Sequence, residues 1–171
     1  MLPDLTSDGL LPAGIHRATL EELRETFVDK APYADERRVI FTGLELYLQV
    51  LRALVPRGVL WVDGGFVTHK DWAAPHDVDL ALLIDRSLVA DFSPEDWARL
   101  SQLLTLQGVT SEQPYVVTPR VQPMGGLIDA FVVEVTDVAG RRLWEEIWSQ
   151  VTDQRKEVVQ GKRKGFVEVE W

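Results

Sequence analysis

The chain has 171 residues, no cysteine, and a formal net charge of −9 from 27 acidic and 18 basic side chains. This length fits one domain with its own core, and the absence of cysteine excludes disulfides and thiolate metal sites, so we expect a cytoplasmic protein. The acidic charge argues against a long nucleic acid as partner, because such binding depends on phosphate neutralisation. No apolar run approaches the ~20 residues that span a bilayer, so no membrane contact is expected.

The first part of the chain predicts an arm followed by two helices. Proline and glycine are frequent over residues 1–18, which we expect to be irregular. Thr19 and Glu22 have the spacing of a capping box and predict a short helix that ends near Phe27. Apolar residues then recur at helical spacing over residues 35–54 and predict a longer helix.

The rest of the chain predicts strands that alternate with two further helices. Ser93 is followed by a proline and two acids, which predicts the start of a helix that ends near Gln107. Another helix is predicted over residues 141–151, where apolar residues share one face. Apolar runs predict strands at residues 59–63, 77–84, 115–117, 127–136 and 165–171. This order predicts an α+β fold whose helices pack on one face of a mixed sheet, leaving the other face partly open.

Two glycines and two aspartates form the most informative pattern. Gly64 and Gly65 follow the first apolar strand, and Asp77 and Asp79 begin the next one. Both carboxylates are expected on the same strand face, where a divalent cation offsets their repulsion and lost hydration. A glycine pair lets backbone amides approach a phosphate closely. The pattern predicts a site for a metal-bound nucleoside triphosphate, although two such aspartates alone are more often a solvated strand start.

A third candidate carboxylate is Asp129, which lies inside the otherwise apolar run 127–132. A lone carboxylate in such a strand is costly unless it is paired or bound to a metal. Two interpretations therefore stay open. Asp129 either completes a metal site with Asp77 and Asp79 or forms an ion pair with an arginine.

The glycine pair, the paired aspartates and the acid on a later strand resemble the polymerase-beta-like nucleotidyltransferase superfamily. The chain is also similar, over nearly its whole length, to a group of small uncharacterised bacterial stand-alone proteins (DUF6932-like) within that superfamily. The motifs that carry this second resemblance lie in the arm, in the glycine turn and in the last strand, at residues 11–16, 63–68 and 164–169.

The resemblance implies a nucleotidyltransferase-like fold and transfer of a nucleotide from a nucleoside triphosphate to a hydroxyl, with Mg²⁺ or Mn²⁺ as cofactor. One ion binds the triphosphate through Asp77 and Asp79. Another lowers the pKa of the acceptor hydroxyl, with Asp129 as base or bridging ligand. The acceptor is an unknown protein or small molecule. The residues expected to bind the nucleotide are Gly64, Gly65, Thr68 and Lys70.

Other interpretations remain open. Gly65 stands where serine is more frequent, and a non-catalytic protein that binds a toxin-like partner, as an antitoxin does, would keep the same fold. His76 beside Asp77 is typical of metal phosphohydrolases, but the chain has only 3 histidines, which disfavours that class. The basic run 162–164 is either a solvated turn or a contact to the triphosphate or an anionic acceptor.

Overall fold

The protein is described by a computed structural model that covers all 171 residues. In chain order the strands are β1 (Gly14–Arg17), β2 (Val59–Asp63), β3 (Val78–Ile84), β4 (Leu106–Glu112), β5 (Tyr115–Val121), β6 (Ile128–Glu134), β7 (Gln150–Thr152), β8 (Val158–Arg163) and β9 (Gly165–Glu170). The helices are α1 (Leu20–Arg24), which continues as a π-helical turn over Glu25–Asp29, α2 (Ala34–Leu54), α3 (Pro94–Ser101) and α4 (Val138–Trp148).

Five strands form one mixed sheet in the order β1-β9-β2-β3-β6. The central strand β2 pairs antiparallel with β9 and β3, whereas β1 runs parallel to β9 and β6 runs parallel to β3. The remaining strands form two separate hairpins, β4 with β5 and β7 with β8. The predicted α+β architecture with a mixed sheet is confirmed.

The two faces of the sheet carry separate apolar clusters. Leu60 and Leu80 belong to the larger cluster, which also contains residues of α1, α2 and α3. Trp61 and Ala81 alternate with them along β2 and β3, so they point to the opposite face, where they contact the cluster around Trp148.

The prediction that all helices pack on one face is wrong for α4. This helix covers part of the opposite face, because its aromatic side chains pack there against aromatic side chains of the sheet. The ring of Trp144 lies 4.8 Å from that of Phe131 on β6, and the ring of Trp148 lies 5.7 Å from that of Phe166 on β9. The apolar stripe of α4 was visible in the sequence, but its side of the sheet was not.

Several boundaries differ from prediction because the hairpins were missed. The helix expected to run to about Gln107 ends at Ser101, and β4 begins at Leu106. Likewise α4 begins and ends three residues earlier than predicted, since β7 follows it directly. Almost every residue of β4 and β5 is exposed, so these strands lack the alternation that reveals a half-buried strand.

The arm is more ordered than predicted. Residues 14–17 form β1, which joins the sheet edge, where the Gly165 N–H donates to the Leu11 carbonyl at 3.0 Å. Leu10 pairs with Thr68 in an isolated bridge, so the arm borders the glycine turn. None of the helices is both long and apolar enough to cross a membrane.

Candidate functional site

Three aspartates lie side by side on the sheet face opposite α1, α2 and α3. Asp79 of β3 pairs in register with Asp63 of β2 on one side and with Asp129 of β6 on the other. Paired residues of adjacent strands point to the same face. Asp77, two positions before Asp79, shares this orientation. The structure therefore brings the three predicted carboxylates to one region and adds Asp63 as a fourth.

The glycine turn packs directly against Asp79. Residues Gly64–Val67 form a 3-10 turn where β2 ends. Gly64 has a φ of +82°, and a Cβ atom at this position would overlap the Asp79 carboxylate, so only glycine fits. A Cβ atom at Gly65 would lie 2.8 Å from Nζ of Lys70. Three of the predicted nucleotide-binding residues are thus close to Asp79.

A cleft of about 1190 Å³ opens over this turn. Its walls come from residues 5–10 of the arm, from residues 68–77 after the glycine turn and from the β7–β8 hairpin. The lining combines carboxylates with basic side chains, Asp63, Asp77, Asp79, Lys70, Lys156, Lys162 and Lys164 among them. Such mixed charge suits a polyanion that arrives with a cation.

Asp79 is the one carboxylate of the row without a partner. Asp63, Asp77 and Asp129 each receive a side-chain hydrogen bond, whereas Asp79 accepts none and forms no ion pair. Burial, followed by the charges of Asp77 and Asp63, raises the pKa of Asp79 to about 7. A cation bound here would lower the pKa of Asp79 again, so it would relieve the cost of ionising this carboxylate.

Asp63 forms a buried ion pair with Lys164, and their side chains are 5% and 10% exposed. Burial raises the pKa of Asp63, and the charge and hydrogen bond of Lys164 oppose this shift. The sequence analysis did not single out Asp63, and it considered Lys164 only as part of the basic run 162–164 and not as the partner of Asp63. The available signals were an acid at the end of an apolar strand directly before a glycine pair, and a lysine before Gly165.

Asp129 and Asp77 are held by residues of the β4–β5 hairpin and of the chain next to it. Arg120 of β5 donates to Oδ2 of Asp129, and the Thr105 hydroxyl donates to Oδ1 at 2.6 Å. The Asp129 side chain is only 6% exposed and does not line the cleft. Nε2 of Gln122 donates to Oδ2 of Asp77 at 2.7 Å. Of the two interpretations left open for Asp129, the ion pair with an arginine is present here.

Thr68 is fixed by a buried arginine that the sequence did not indicate. The Thr68 hydroxyl donates to the Gly65 carbonyl at 2.9 Å and closes the turn. The Thr68 carbonyl accepts from Nη2 of Arg37 at 2.6 Å, and Arg37 of α2 is 0% exposed. An arginine in an amphipathic helix usually faces solvent, so the apolar pattern of α2 gave no sign that Arg37 is buried.

The side chains, as they lie, form no group of three or more His, Asp or Glu residues that could hold a metal ion. Asp77 and Asp79 both line the cleft, and neither forms an ion pair. Mg²⁺ usually binds through one or two carboxylates, with waters and phosphate oxygens as its other ligands. This pair has the donor chemistry for an ion that the phosphate oxygens of a nucleotide help to coordinate.

A family model described as "Family of unknown function (DUF6932)" matches residues 3–170. The chain belongs to this family. No curated protein and no solved structure matches it. The DUF6932 resemblance predicted from the motifs is confirmed, and the nucleotidyltransferase superfamily stays a prediction.

The three segments that carry the DUF6932 resemblance are joined by contacts, and two of them supply residues to the cleft. Asp63, Gly64, Gly65 and Thr68 line it together with Lys164, which pairs with Asp63. Leu11 of the arm binds the backbone of Gly165. The basic run itself divides among several partners, because Lys162 pairs with Asp8 and Arg163 pairs with Glu146. It is therefore not a simple solvated turn.

Proposed function

We propose that this DUF6932 protein is a nucleotidyltransferase-like enzyme that binds a divalent cation and a nucleoside triphosphate in the cleft and transfers a nucleotide to a hydroxyl. The observation that carries the proposal is Asp79, a partly buried carboxylate without a partner, placed between two other acids and against a glycine turn. Such an arrangement is unfavourable in the free protein and becomes favourable when a cation binds.

Asp77 and Asp79 would hold Mg²⁺ or Mn²⁺. Bound there, the cation neutralises triphosphate charge and lowers the pKa of an acceptor hydroxyl. The fit rests on the all-oxygen donor set and on the raised pKa of Asp79. It also explains why no third ligand is needed from the protein, since phosphate oxygens and water complete the coordination of Mg²⁺.

The phosphates would lie against the glycine turn and Lys70. The backbone amides of Gly64 and Gly65 would donate to phosphate oxygens. Lys70 stands beside Gly65, and burial and the charge of Arg37 lower the pKa of Lys70, while Asp77 opposes the shift. A polyanion would restore favourable surroundings for this ammonium group.

In the transfer, the acceptor oxygen forms a bond to the α-phosphorus, the bond from that phosphorus to pyrophosphate breaks, and the hydroxyl proton passes to a base. Asp129 is the predicted base or bridging ligand. Arg120 and Thr105 occupy its two oxygens, so Asp129 takes this role only once Arg120 is displaced. The acceptor is a protein or a small molecule.

A second candidate function is a non-catalytic protein of the same fold that binds a partner such as a toxin. The pairing of Asp129 with Arg120 favours this candidate, because it removes one of the three predicted catalytic carboxylates from the cleft. In that case the cleft would bind a nucleotide without transferring it.

The test incubates the protein with α-labelled ATP, Mg²⁺ and a cell lysate. We expect a labelled acceptor with the wild-type protein and none with Asp79→Asn. The matched control is Asp91→Asn, an exposed acid outside the cleft, which makes the same change in charge and should retain labelling. Labelling by Asp79→Asn at the wild-type level would refute the proposed enzyme. Saturable binding of Mg²⁺ and ATP without any labelled acceptor would favour the binding protein.

A further inference from the structure

Arg37 is a buried positive charge below the glycine turn, and no carboxylate neutralises it. The side chain is 0% exposed and donates only to backbone carbonyls. Its bonds reach the carbonyls of Pro32 at 2.7 Å, Phe27 at 3.0 Å, Phe66 at 2.6 Å and Thr68 at 2.6 Å. The guanidinium also lies 5.8 Å from the centre of the Phe66 ring.

A charge buried in this way is costly for the fold. Carbonyl groups satisfy the guanidinium donors, but they leave its unit charge in place, and burying an unpaired charge is among the most expensive events in folding. Burial lowers the pKa of Arg37 to about 10, so the side chain stays protonated at neutral pH. A fold that retains this cost without an internal counter-ion suits a counter-ion that comes from outside.

Arg37 lies close enough to the cleft for its charge to affect residues that line it. Two of its bonds fix the carbonyls of Phe66 and Thr68, which belong to the glycine turn or follow it directly. Its positive charge also contributes to the lowered pKa values of His69 and Lys70, for both of which burial is the largest cause. Both residues line the cleft.

We propose that Arg37 is a positioning residue for a polyphosphate. It holds the turn at residues 64–68 in shape through two carbonyls, and its unneutralised charge attracts phosphate groups to the cleft side of that turn. The inference rests on the proposed function for the identity of the ligand, a nucleoside triphosphate, but it requires only binding and no transfer.

The experiment measures the affinity for inorganic tripolyphosphate with Mg²⁺ by calorimetry at low ionic strength. Arg37→Lys and Arg37→Gln both lose the planar guanidinium bonds, but only the glutamine removes the charge. We expect Arg37→Gln to bind about tenfold more weakly than Arg37→Lys, since a full charge in a low dielectric is lost. The control is Arg38→Gln, which removes an exposed charge paired with Asp35 on the same helix and should leave the affinity unchanged.

A second measurement reports the charge directly. By NMR, the pKa of His69 should rise in Arg37→Gln and stay at the wild-type value in Arg37→Lys and Arg38→Gln. Equal affinities for tripolyphosphate in the two Arg37 variants, or an unchanged His69 pKa in Arg37→Gln, would overturn the inference and leave Arg37 a purely structural residue.

If neither Arg37 variant folds, the inference can still be tested with the wild-type protein. Saturable binding of Mg²⁺-tripolyphosphate that shifts the His69 imidazole resonances supports the inference, whereas binding without that shift, or no binding, overturns it. The proposed enzyme fails separately, when the wild-type protein labels no acceptor. In that case a dependence of tripolyphosphate binding on the charge at position 37 would remain valid.

Discussion

Asp79 and Asp129 are register partners on adjacent strands and point to the same face, yet their surroundings are opposite. Asp79 has no hydrogen-bond partner and a pKa raised to about 7, whereas Asp129 is held by Arg120 and Thr105. The sheet gives both carboxylates the same direction. Loops outside the sheet decide their chemistry, because a glycine turn lies against Asp79 and an exposed hairpin supplies Arg120 to Asp129. Register within a sheet therefore identifies candidates for a site but does not assign their roles.

The largest expected difference between the two concerns ligand binding and transfer. Asp79→Asn should lower labelled transfer by ~100-fold or more and abolish the rise in Tm caused by Mg²⁺ and ATP, because metal and acid–base effects act through this carboxylate. Asp129→Asn should keep the ligand-dependent rise in Tm, since Asp129 does not line the cleft. Differential scanning fluorimetry with and without Mg²⁺-ATP measures the rise in Tm for both variants, and the labelling assay measures transfer. The contrast between the two carboxylates would be wrong if Asp129→Asn abolished the rise and Asp79→Asn kept it.

A second difference lies in the pH dependence of stability. The folded-state pKa of Asp79, about 7, lies above the unfolded-state value of ~3.9, so ionisation of this group opposes folding. The penalty is absent below about pH 4, where both states are protonated, grows as pH rises and is complete above about pH 7.

Asp79→Asn should therefore increase the free energy of unfolding by about 2 kcal/mol at pH 8, after allowance for solvent screening, and by almost nothing at pH 4. Urea denaturation across this range measures the effect. Asp91→Asn is the control and should show no such trend. A stabilisation by Asp79→Asn that is independent of pH would mean that ionisation of Asp79 does not destabilise the folded state.

The sequence predicted the regular parts of the fold and the proximity of Asp79 to the glycine turn for the same reason. Most residues of strands β2, β3 and β9 are buried, and the capping box at Thr19 uses local contacts. Both features therefore leave a pattern in neighbouring residues. Asp77 and Asp79 are likewise close to the glycine pair in the chain. Local spacing was enough to place them together.

The missed features all depend on contacts between distant segments. Lys164 reaches Asp63 across 101 positions of sequence, and Arg37 reaches Thr68 across 31. Neither partner is marked by spacing, and Arg37 looks like a surface residue until α2 is packed against the turn. The exposed hairpin that carries Arg120 lacks an alternating pattern, so the pairing of Asp129 stayed one of two open interpretations.

A smaller effect is expected when the Asp129 pairing is broken. Arg120→Gln removes a positive charge that opposes the raised pKa of Asp79, and it frees one oxygen of Asp129. We expect the affinity for Mn²⁺ to increase by about threefold to tenfold, because the cation no longer competes with a fixed charge. Electron paramagnetic resonance measures free Mn²⁺. Arg163→Gln is the matched control, since Arg163 is 45% exposed against 40% for Arg120 and also pairs with an acid. A loss of Mn²⁺ affinity in Arg120→Gln alone would assign Arg120 a supporting role at the site.

The smallest expected effect is that of a side chain at Gly65, in the turn beside Asp79. A Cβ atom at Gly65 would crowd only the end of the Lys70 side chain, with Nζ at 2.8 Å and Cε at 3.3 Å, and this flexible end can move aside. Gly65→Ser should therefore fold normally and transfer labelled nucleotide within about twofold of the wild-type rate, or faster. Any gain should be modest, because the new hydroxyl adds at most one hydrogen bond to a phosphate.

Gly64→Ser is the contrasting variant. At a φ of +82° its side chain would displace the Asp79 carboxylate, so it should lose stability and Mg²⁺-ATP binding together. If Gly65→Ser lost binding as completely as Gly64→Ser, this prediction would be wrong. A phosphate would then occupy the space beside Lys70 that the serine side chain fills.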